Sequence, residues 1–106
     1  MANGLIFKKF HLPMVLGGTK TATRRIHKRP IKAGKTVWAK KNYYKFYDFK
    51  LKILKSYDER LGDMTLEDAK KEGGYTLDEF KEVWIEINGE WDPDLIVRVY
   101  EFEVIK

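Results

Sequence analysis

Two consecutive helices near the end of the chain most constrain its fold. Each of the runs Thr65–Asp68 and Thr76–Glu79 places a threonine three residues before an acid, which is the pattern of a capping box. Gly89 is placed to end the second helix. The apolar stripe of that helix consists of Leu77, Phe80, Val83, Trp84 and Ile87. Because one helix follows the other directly, the regular alternation of a doubly wound parallel sheet is excluded.

Strand patterns fill most of the remaining chain. Pro13–Leu16 predicts a short helix, ended by Gly17 and Gly18. Strands are predicted at Leu5–Phe10, around Thr21–Arg24, at Thr36–Lys40, within Tyr43–Tyr57 as a hairpin or long bent strand, and at Ile96–Ile105. The predicted fold class is therefore α+β, with a small curved sheet or barrel and helices at its edge. Closing the sheet would remove the exposed strand edges.

Length and composition favour one domain over residues 1–106. The chain has 106 residues and 43% hydrophobic content, which suffices for one core but hardly for two. No apolar run is long enough to span a bilayer, and residues 1–10 show no signal-peptide pattern, so we expect a soluble, cytoplasmic protein. The absence of Gln and the abundance of Lys and Glu are typical of proteins from thermophiles.

The chain has no cysteine, which excludes disulfides, thiolate metal sites and cysteine nucleophiles. Only His11 and His27 offer imidazole, and neither has ligand-like neighbours in the sequence. We therefore expect no metal and no cofactor, and we assign neither histidine a catalytic role. Any acid–base chemistry must use Lys, Thr, Tyr, Asp or Glu.

Charge is divided unevenly along the chain. Residues 1–47 contain twelve Lys and Arg and no acid, whereas residues 48–106 contain nine Lys and Arg and sixteen acids. The first part therefore carries positive charges only, which favours a polyanionic partner. The alternative is that the two parts neutralise each other in the fold, but this leaves the net charge of +5 unexplained.

The most distinctive segment for chemistry is Gly17–Arg25. Its glycines allow a close backbone approach, its hydroxyls bind oxygen-rich groups, and its arginines offer planar forks for phosphate or a base edge. The glycine spacing is not that of a P-loop, and the alternative is an ordinary solvated basic strand. The candidate ligand-binding residues are Thr21, Arg24 and Arg25, together with Lys28, Arg29 and Lys32 of the basic loop that follows.

These residues resemble the signature of the ASCH domain, a branch of the PUA-like superfamily. The similarity rests first on Gly18, Lys20, Thr21, Thr23, Arg24, Lys32 and Gly34. It continues through Leu66–Ala69, Glu72, Gly73, Phe80, Trp84, Trp91, Pro93, Val97, Val99 and Phe102, so it covers nearly the whole chain. The resemblance implies a PUA-like mixed β-barrel with flanking helices beside a cleft, and a role in binding RNA.

One small bacterial branch of the family resembles an amidohydrolase that removes acyl groups from the exocyclic amine of acetylated cytidine. Its lysine, threonine and glutamate match Lys20, Thr23 and Glu72. The resemblance implies Thr23 as nucleophile, Lys20 as base and Glu72 as proton donor or positioning group. Glu72 is also unusual by itself, because an acid in the last turn of a helix opposes the macrodipole.

The sequence favours binding of RNA or a nucleoside-like ligand over hydrolysis. The loop Ile26–Lys35 is richer in cations than the acylcytidine branch, and a polynucleotide backbone needs such cations more than a small nucleoside does. Amidohydrolase, ribonuclease and protein-interaction module remain the alternatives. The aromatic residues of Asn42–Phe49 are expected mainly in the core, with Tyr43 or Tyr47 as exceptions that could stack on bases. The oligomeric state is left open.

Overall fold

A computed structural model of the protein describes residues 4–26 and 29–105. Its strands are β1 (Gly4–Ile6), β2 (Ala22–Arg25), β3 (Thr36–Lys40), β4 (Phe46–Arg60) and β5 (Ile96–Ile105). Its helices are α1 (Leu12–Leu16), α2 (Leu66–Gly73) and α3 (Leu77–Asn88), and short 3-10 turns precede α1 and α2 at Lys9–His11 and Leu61–Asp63.

The five strands form one curled sheet in the order β1-β3-β4-β5-β2. Strand β1 pairs with β3 in parallel, and the other neighbours are antiparallel. A register shift between Ile53 and Lys55 interrupts the long β4–β5 ladder; such irregularities bend a sheet and increase its twist. Strands β1 and β2 are therefore the two edges of a half-barrel.

The sheet has an apolar cluster on each face. Val97 and Tyr100 lie three positions apart on β5 and so point to opposite faces. Val97 packs in a cluster with Leu61, Met64, Ala69, Phe80 and Trp84 beneath the helices. Tyr100 belongs to the cluster that fills the curl of the sheet, with Leu5, Phe7, Val15, Ile31, Val37, Ala39, Phe49, Leu51, Ile53 and Phe102. This α+β architecture, a partial β-barrel with flanking helices, confirms the predicted fold class.

Both predicted capping boxes are present. Thr65 Oγ1 accepts from the amide of Asp68, and the Asp68 carboxylate accepts from the amide of Thr65. Thr76 and Glu79 make the same pair of hydrogen bonds at the start of α3. Helix α3 ends immediately before Gly89, as predicted.

Two glycines in left-handed conformations end α2 and redirect the chain. Gly73 has φ +157° and Gly74 has φ +77°. A Cβ atom on Gly73 would lie 2.8 Å from the ring of Tyr75 and 3.0 Å from the sulfur of Met14. Glycine is required here because the turn is tight and the neighbouring side chains approach the backbone closely.

The first predicted strand is shorter than expected. Pairing in β1 ends at Ile6, and only the amide of Phe7 still donates to a β3 residue, Lys40, over 3.0 Å. Strand β3 itself ends at Lys40, so the chain beyond Phe7 has no ladder partner and turns into the 3-10 segment before α1. The prediction of a strand through Phe10 is corrected for this reason.

The aromatic segment before β4 also differs from the prediction. Phe49 is buried and Tyr47 is half-buried, but Tyr43, Tyr44 and Phe46 are exposed. Tyr43 was predicted as an exception, whereas Tyr44 and Phe46 were expected in the core. Tyr44 lies in the β3–β4 turn, and Phe46 is the first residue of β4, so both lie at the end of the hairpin.

Candidate functional site

A cavity of about 340 Å³ opens beside the free edge of β2. One wall is apolar and comes mainly from α3, with Ile6 and Ile26 at the rim. The opposite wall is polar and comes from the chain after β1, from β2 and from the end of α2. The α3 residues are Phe80, Val83, Trp84, Ile87 and Asn88, and the polar residues are Lys8, His11, Lys20, Thr23, Arg24, Arg25 and Glu72.

Strand β2 places its functional side chains on both of its faces. Successive residues alternate, so Thr23 and Arg25 point to one side and Arg24 to the other. Arg25 Nε donates to Thr23 Oγ1 over 3.1 Å, and its guanidinium also donates to the carbonyl of Ile6 and lies 5.0 Å from the centre of the Phe7 ring. Arg25 thus joins the two edges of the half-barrel across the cavity.

Lys20 and Glu72 form a buried ion pair at the end of α2. The ammonium of Lys20 donates to Glu72 Oε1 at 3.2 Å, to the Glu72 carbonyl at 2.8 Å and to the Ala22 carbonyl at 3.0 Å. Both side chains are 3% exposed. The cation satisfies a carbonyl at the helix C-terminus and offsets the unfavourable position of Glu72 relative to the macrodipole.

Arg24 extends this network to three acids. Its guanidinium pairs with Glu72 Oε2 at 3.0 Å, with Glu59 Oε1 at 2.8 Å and with Asp68 Oδ2 at 3.5 Å. Burial by itself lowers the pKa of Arg24, but the three carboxylates raise it above its ordinary value. Arg24 is therefore held as a cation shared by three carboxylates, which fixes α2 against β2.

For Lys20 and Arg25, by contrast, burial is the dominant influence, and the net shift of the pKa is downward. Burial lowers the pKa of Lys20, the attraction of Glu72 offsets this only in part, and the charge of Arg25 adds to the lowering. Burial also lowers the pKa of Arg25 to about 10, so Arg25 stays charged at neutral pH.

His11 lies on the same cavity wall and is held neutral. Its Nε2 shares a hydrogen bond of 2.8 Å with the hydroxyl of Tyr75, which the glycine turn after α2 brings back to this point. Burial and the charges of Lys20 and Arg25 lower the pKa of His11 to about 4. Burial raises the pKa of Tyr75, and Glu72 raises it further.

Two buried N–H groups of residues lining the cavity lack an acceptor within the described ranges, 4–26 and 29–105. They are Arg24 Nε and Trp84 Nε1. Buried donors are nearly always paired with protein or water, so two unpaired donors around one cavity are unusual. Both are suited to an oxygen atom of a ligand or of an ordered water.

The structure brings together some of the sequence-predicted site residues and separates others. Lys20, Thr23, Arg24, Arg25 and Glu72 all line the cavity. Thr21 lies outside it and is exposed; its amide donates to the Lys71 carbonyl and its carbonyl accepts from the Phe102 amide. Arg29 and Lys32 are exposed and do not line the cavity, and Lys28 and His27 fall outside the described residues.

Several residues of the site were not predicted from sequence. Ile87 was expected in the core stripe of α3, but it is 41% exposed because it faces the cavity. Lys8 was expected within a strand. Nothing in the sequence around Glu59 indicated its role, because its contact with Arg24 spans 35 residues. The sequence did contain one indication that Ile87 is less buried: it lies in the last turn of α3, beyond Trp84, which is buried.

The ion pairs decide between the two interpretations of the uneven charge. Among the described residues, Lys20 and Arg24 are the cations of the first 47 positions that pair with a carboxylate side chain. The described cations of that part without such a partner are Lys8, Lys9, Arg25, Arg29, Lys32, Lys35, Lys40, Lys41 and Lys45. Mutual neutralisation of the two parts of the chain is therefore limited to the network at the cavity wall.

No group of three or more His, Asp or Glu side chains that could hold a metal ion occurs within residues 4–26 and 29–105. In the same ranges, none of the helices combines the length and the apolar character needed to cross a membrane.

No protein-family model matches the chain, and no curated protein matches it. Solved structures do match. A protein from Enterococcus faecalis V583 described by the family model DUF984 is similar with a TM-score of 0.73 at 20% identity, covering 99% of this chain and 77% of that one. An ASCH domain from Lactobacillus crispatus JV V101 is similar with a TM-score of 0.69 at 14% identity, covering 95% of this chain and 77% of that one. The chain thus has the fold of the ASCH domain, as its sequence resemblance predicted.

Proposed function

We propose that the protein binds RNA, or a nucleotide-like group, in the cavity between β2 and α3. The observation that carries the proposal is that an apolar wall and a wall rich in cations line one cavity. A nucleotide combines a flat apolar base with an anionic phosphate, and the two walls offer a contact for each part. Pockets of a few hundred Å³ are typical of small-ligand sites, and this cavity of about 340 Å³ is at the lower end of that range.

The charge of the surroundings supports an anionic ligand. Lys8 lies at the cavity, exposed and without a carboxylate partner in the described ranges, and Arg25 spans the cavity between the two sheet edges. Lysine and arginine near a phosphate supply most of the affinity of nucleic-acid binding through counterion release.

The chain offers two matched pairs of variants for the test. Lys8→Ala removes an exposed cation that lines the cavity, and Lys9→Ala removes its neighbour, which is equally charged and exposed but does not line it. On α3, Ile87→Ala removes an apolar contact from the cavity wall, whereas Ile85, which is 43% exposed, is absent from that wall. Binding of a fluorescently labelled single-stranded RNA of ten nucleotides is measured by anisotropy at low salt.

We expect Lys8→Ala and Ile87→Ala each to weaken RNA binding about 5- to 20-fold, on the order of 1 to 2 kcal/mol, while Lys9→Ala and Ile85→Ala change it much less. Equal effects within each pair would show that the cavity is not the binding site. An absence of RNA binding at low salt would contradict the proposal and favour the protein-interaction alternative.

A second candidate function is hydrolysis of an acyl group on a cytidine-type nucleoside. The observation that favours it is that Lys20, Thr23 and Glu72 line the same cavity, although 52 residues separate Lys20 from Glu72. In this function the Thr23 hydroxyl would attack the acyl carbonyl while Lys20 accepts the hydroxyl proton. The C–N bond would then break, with Lys20 returning that proton to the leaving amine, which Glu72 positions, and water would hydrolyse the acyl–Thr23 ester to release the free acid. The lowered pKa of Lys20 is in the direction that a base requires.

Binding is the better supported function because of the hydrogen bonds that Lys20 makes. Its ammonium donates to three oxygens, which uses all three protons, whereas a general base must present a lone pair. Thr23 Oγ1 accepts from Arg25.

Release of acetate from cytidine acetylated on its exocyclic amine tests the second candidate. Turnover that is lost in Thr23→Ala and retained in Thr23→Ser would establish it, and no turnover by the wild type would exclude this substrate.

A further inference from the structure

The turn between β3 and β4 carries an exposed group of aromatic and basic side chains. Tyr43 is 57% exposed, Tyr44 is 85% exposed and Phe46 is 42% exposed. Lys41 and Lys45 are exposed in the same turn, and no acid occurs before Asp48. We call Tyr43, Tyr44, Phe46, Lys41 and Lys45 the hairpin surface. Exposed aromatic rings of this number are unusual on a small domain and indicate a binding surface.

The rings are held in place by lysines rather than by a core. Lys40 Nζ lies 5.3 Å from the centre of the Tyr43 ring and 5.4 Å from that of Phe46. Phe46 also stacks on Trp38 at 5.7 Å, and Lys50 lies over Trp38 at 4.6 Å. Tyr43 and Phe46 thus share Lys40 as a cation against their rings, and the Tyr44 ring packs edge-on against that of Tyr43 at 5.1 Å. These contacts orient the three rings, which stay 42% to 85% exposed.

A close contact with β1 fixes Lys40 in turn. A Cβ atom on Gly4 would lie 2.5 Å from Cδ of Lys40, so the lysine stem runs directly over the glycine. This contact covers the aliphatic stem of Lys40, so the residue is only 9% exposed. Its ammonium group still reaches the aromatic rings. The hairpin surface is thus preorganised by the β1–β3 pairing.

The same pairing places the hairpin surface close to the cavity. Ile6 lines the cavity, and its register partner across the β1–β3 pair is Lys40. Adjacent strands lie about 5 Å apart, so the base of the hairpin is one strand spacing from the cavity rim. Lys8, at the cavity itself, follows Phe7, whose amide donates to Lys40.

We propose that the hairpin surface stacks the bases of a single-stranded polynucleotide, one nucleotide of which occupies the cavity. Charge complementarity argues for this occupant, because Lys41 and Lys45 have no carboxylate partner in the described residues and the aromatic faces suit unpaired bases. The inference rests on the proposed nucleic-acid function and extends it from a single nucleotide to a chain of several.

The experiment compares three ligands and four variants. The ligands are uridine monophosphate, labelled oligo(U) of ten nucleotides, and a duplex RNA of ten base pairs. Tyr44→Ala and Tyr43→Ala remove aromatic faces, Tyr44→Phe retains the face and loses only the hydroxyl, and Ile96→Ala removes a side chain that is 57% exposed on β5. Circular dichroism verifies that each variant is folded.

We expect Tyr44→Ala and Tyr43→Ala each to weaken oligo(U) binding about 5- to 100-fold, and to leave binding of uridine monophosphate unchanged. Tyr44→Phe and Ile96→Ala should bind oligo(U) like the wild type. Unchanged oligo(U) affinity in both alanine variants would overturn the inference, as would duplex RNA binding as tightly as oligo(U).

These outcomes separate this inference from the proposed cavity function. If Lys8→Ala loses both ligands while the hairpin variants bind both normally, the cavity function stands and the hairpin inference fails. If the hairpin variants lose oligo(U) while Lys8→Ala loses neither ligand, the hairpin surface stands as the binding site and the cavity function fails.

Discussion

At the scale of single residues, the site depends on a carboxylate that two cations share. Glu72 contacts Lys20 through one oxygen and Arg24 through the other, and all three side chains are almost fully buried. Buried ion pairs add little net stability, but removing one partner leaves a charge without compensation. Lys20 is the more dependent of the two cations, because Arg24 has two further acids.

Glu72→Gln should therefore destabilise the protein by about 3 to 5 kcal/mol. The matched control is Glu59→Gln, whose side chain is 22% exposed and whose partner Arg24 keeps Glu72, so a loss of about 1 kcal/mol is expected. Urea unfolding measures both values. A further substitution of Lys20→Met in Glu72→Gln should restore part of the loss, since it removes the uncompensated cation. Equal stability of the two single variants would contradict this description of the network.

His11 provides a pH test at the same scale. Its pKa is about 4 in the folded protein and 6.5 in the unfolded chain, so the unfolded chain binds the proton first as the pH falls. The free energy of unfolding should therefore decrease from pH 8 to pH 5, by up to about 2 kcal/mol from this residue. His11→Gln, which does not titrate, should lack this part of the decrease. Parallel pH profiles for the wild type and the variant would show that His11 is not held neutral.

The residues of the site could be predicted where their chemistry was locally unusual. Glu72 stood out as an acid at a helix end, and Lys20, Thr23 and Arg24 lay in a segment of glycines, hydroxyls and cations. Glu59 and His11 could not be predicted, because their roles depend on contacts with residues distant in sequence. Thr21 was predicted by the same segment, but it precedes β2 and does not line the cavity; its backbone is held between Lys71 and Phe102, and its side chain is exposed.

At the scale of secondary structure, the end of α2 sets the position of the site. The two glycines after Glu72 reverse the chain, and the amide of Tyr75 donates back to the carbonyl of Ala69 over 3.2 Å. This reversal places the Tyr75 hydroxyl beside His11, while Lys20 occupies the helix end. Local sequence predicted the start of both helices, because capping boxes are local, and it indicated Glu72 as an unusual acid at the end of α2. It did not predict that the chain reversal brings Tyr75 to His11, because that contact spans 64 residues.

Gly73→Ala should destabilise the protein more than a glycine substitution that only strains the backbone. The new Cβ atom would meet the Tyr75 ring at 2.8 Å, in addition to the left-handed conformation. Gly34→Ala is the matched control, because Gly34 has φ +90° and nothing lies within 4 Å of the added atom. We expect about 1 kcal/mol for Gly34→Ala and at least about 2 kcal/mol for Gly73→Ala by urea unfolding. Similar losses would mean that Tyr75 moves aside freely.

At the scale of the whole molecule, most cations of the first part of the chain have no carboxylate partner among the described residues. Of the nine ion pairs in the described residues, five join an acid of the second part to a cation of that same part, as in Arg60 with Asp94 and Arg98 with Asp58, and the other four involve Lys20 or Arg24. Lys8, Lys20, Arg24 and Arg25 line the cavity, and Lys41 and Lys45 belong to the hairpin surface. The uneven charge along the sequence predicted a polyanionic partner, but it did not predict where the unpaired cations lie, because that depends on the sheet order, which pairs β1 with β3.

The salt dependence of RNA binding should report this separation. The logarithm of the affinity is expected to fall linearly with the logarithm of salt concentration, by about 0.7 for each phosphate neutralised on a single strand. Lys45→Ala should reduce the steepness of that slope by about 0.7. Lys70→Ala removes an exposed cation of the second part, on α2, and should leave the slope unchanged. Equal slopes for the two variants would mean that the first part of the chain is not the polyanion-binding face.

The central claim, that the cavity beside β2 binds a nucleotide, is tested most directly by NMR titration of the ¹⁵N-labelled protein with uridine monophosphate. The three tryptophan indole N–H signals are internal reporters, because Trp84 lines the cavity, whereas Trp38 lies by the hairpin surface and Trp91 packs on Lys81. We expect a saturable shift of the Trp84 indole signal, with Trp38 and Trp91 little changed. A Trp84 signal that stays in place while the ligand binds, or while another tryptophan shifts, would show that the nucleotide does not bind in this cavity.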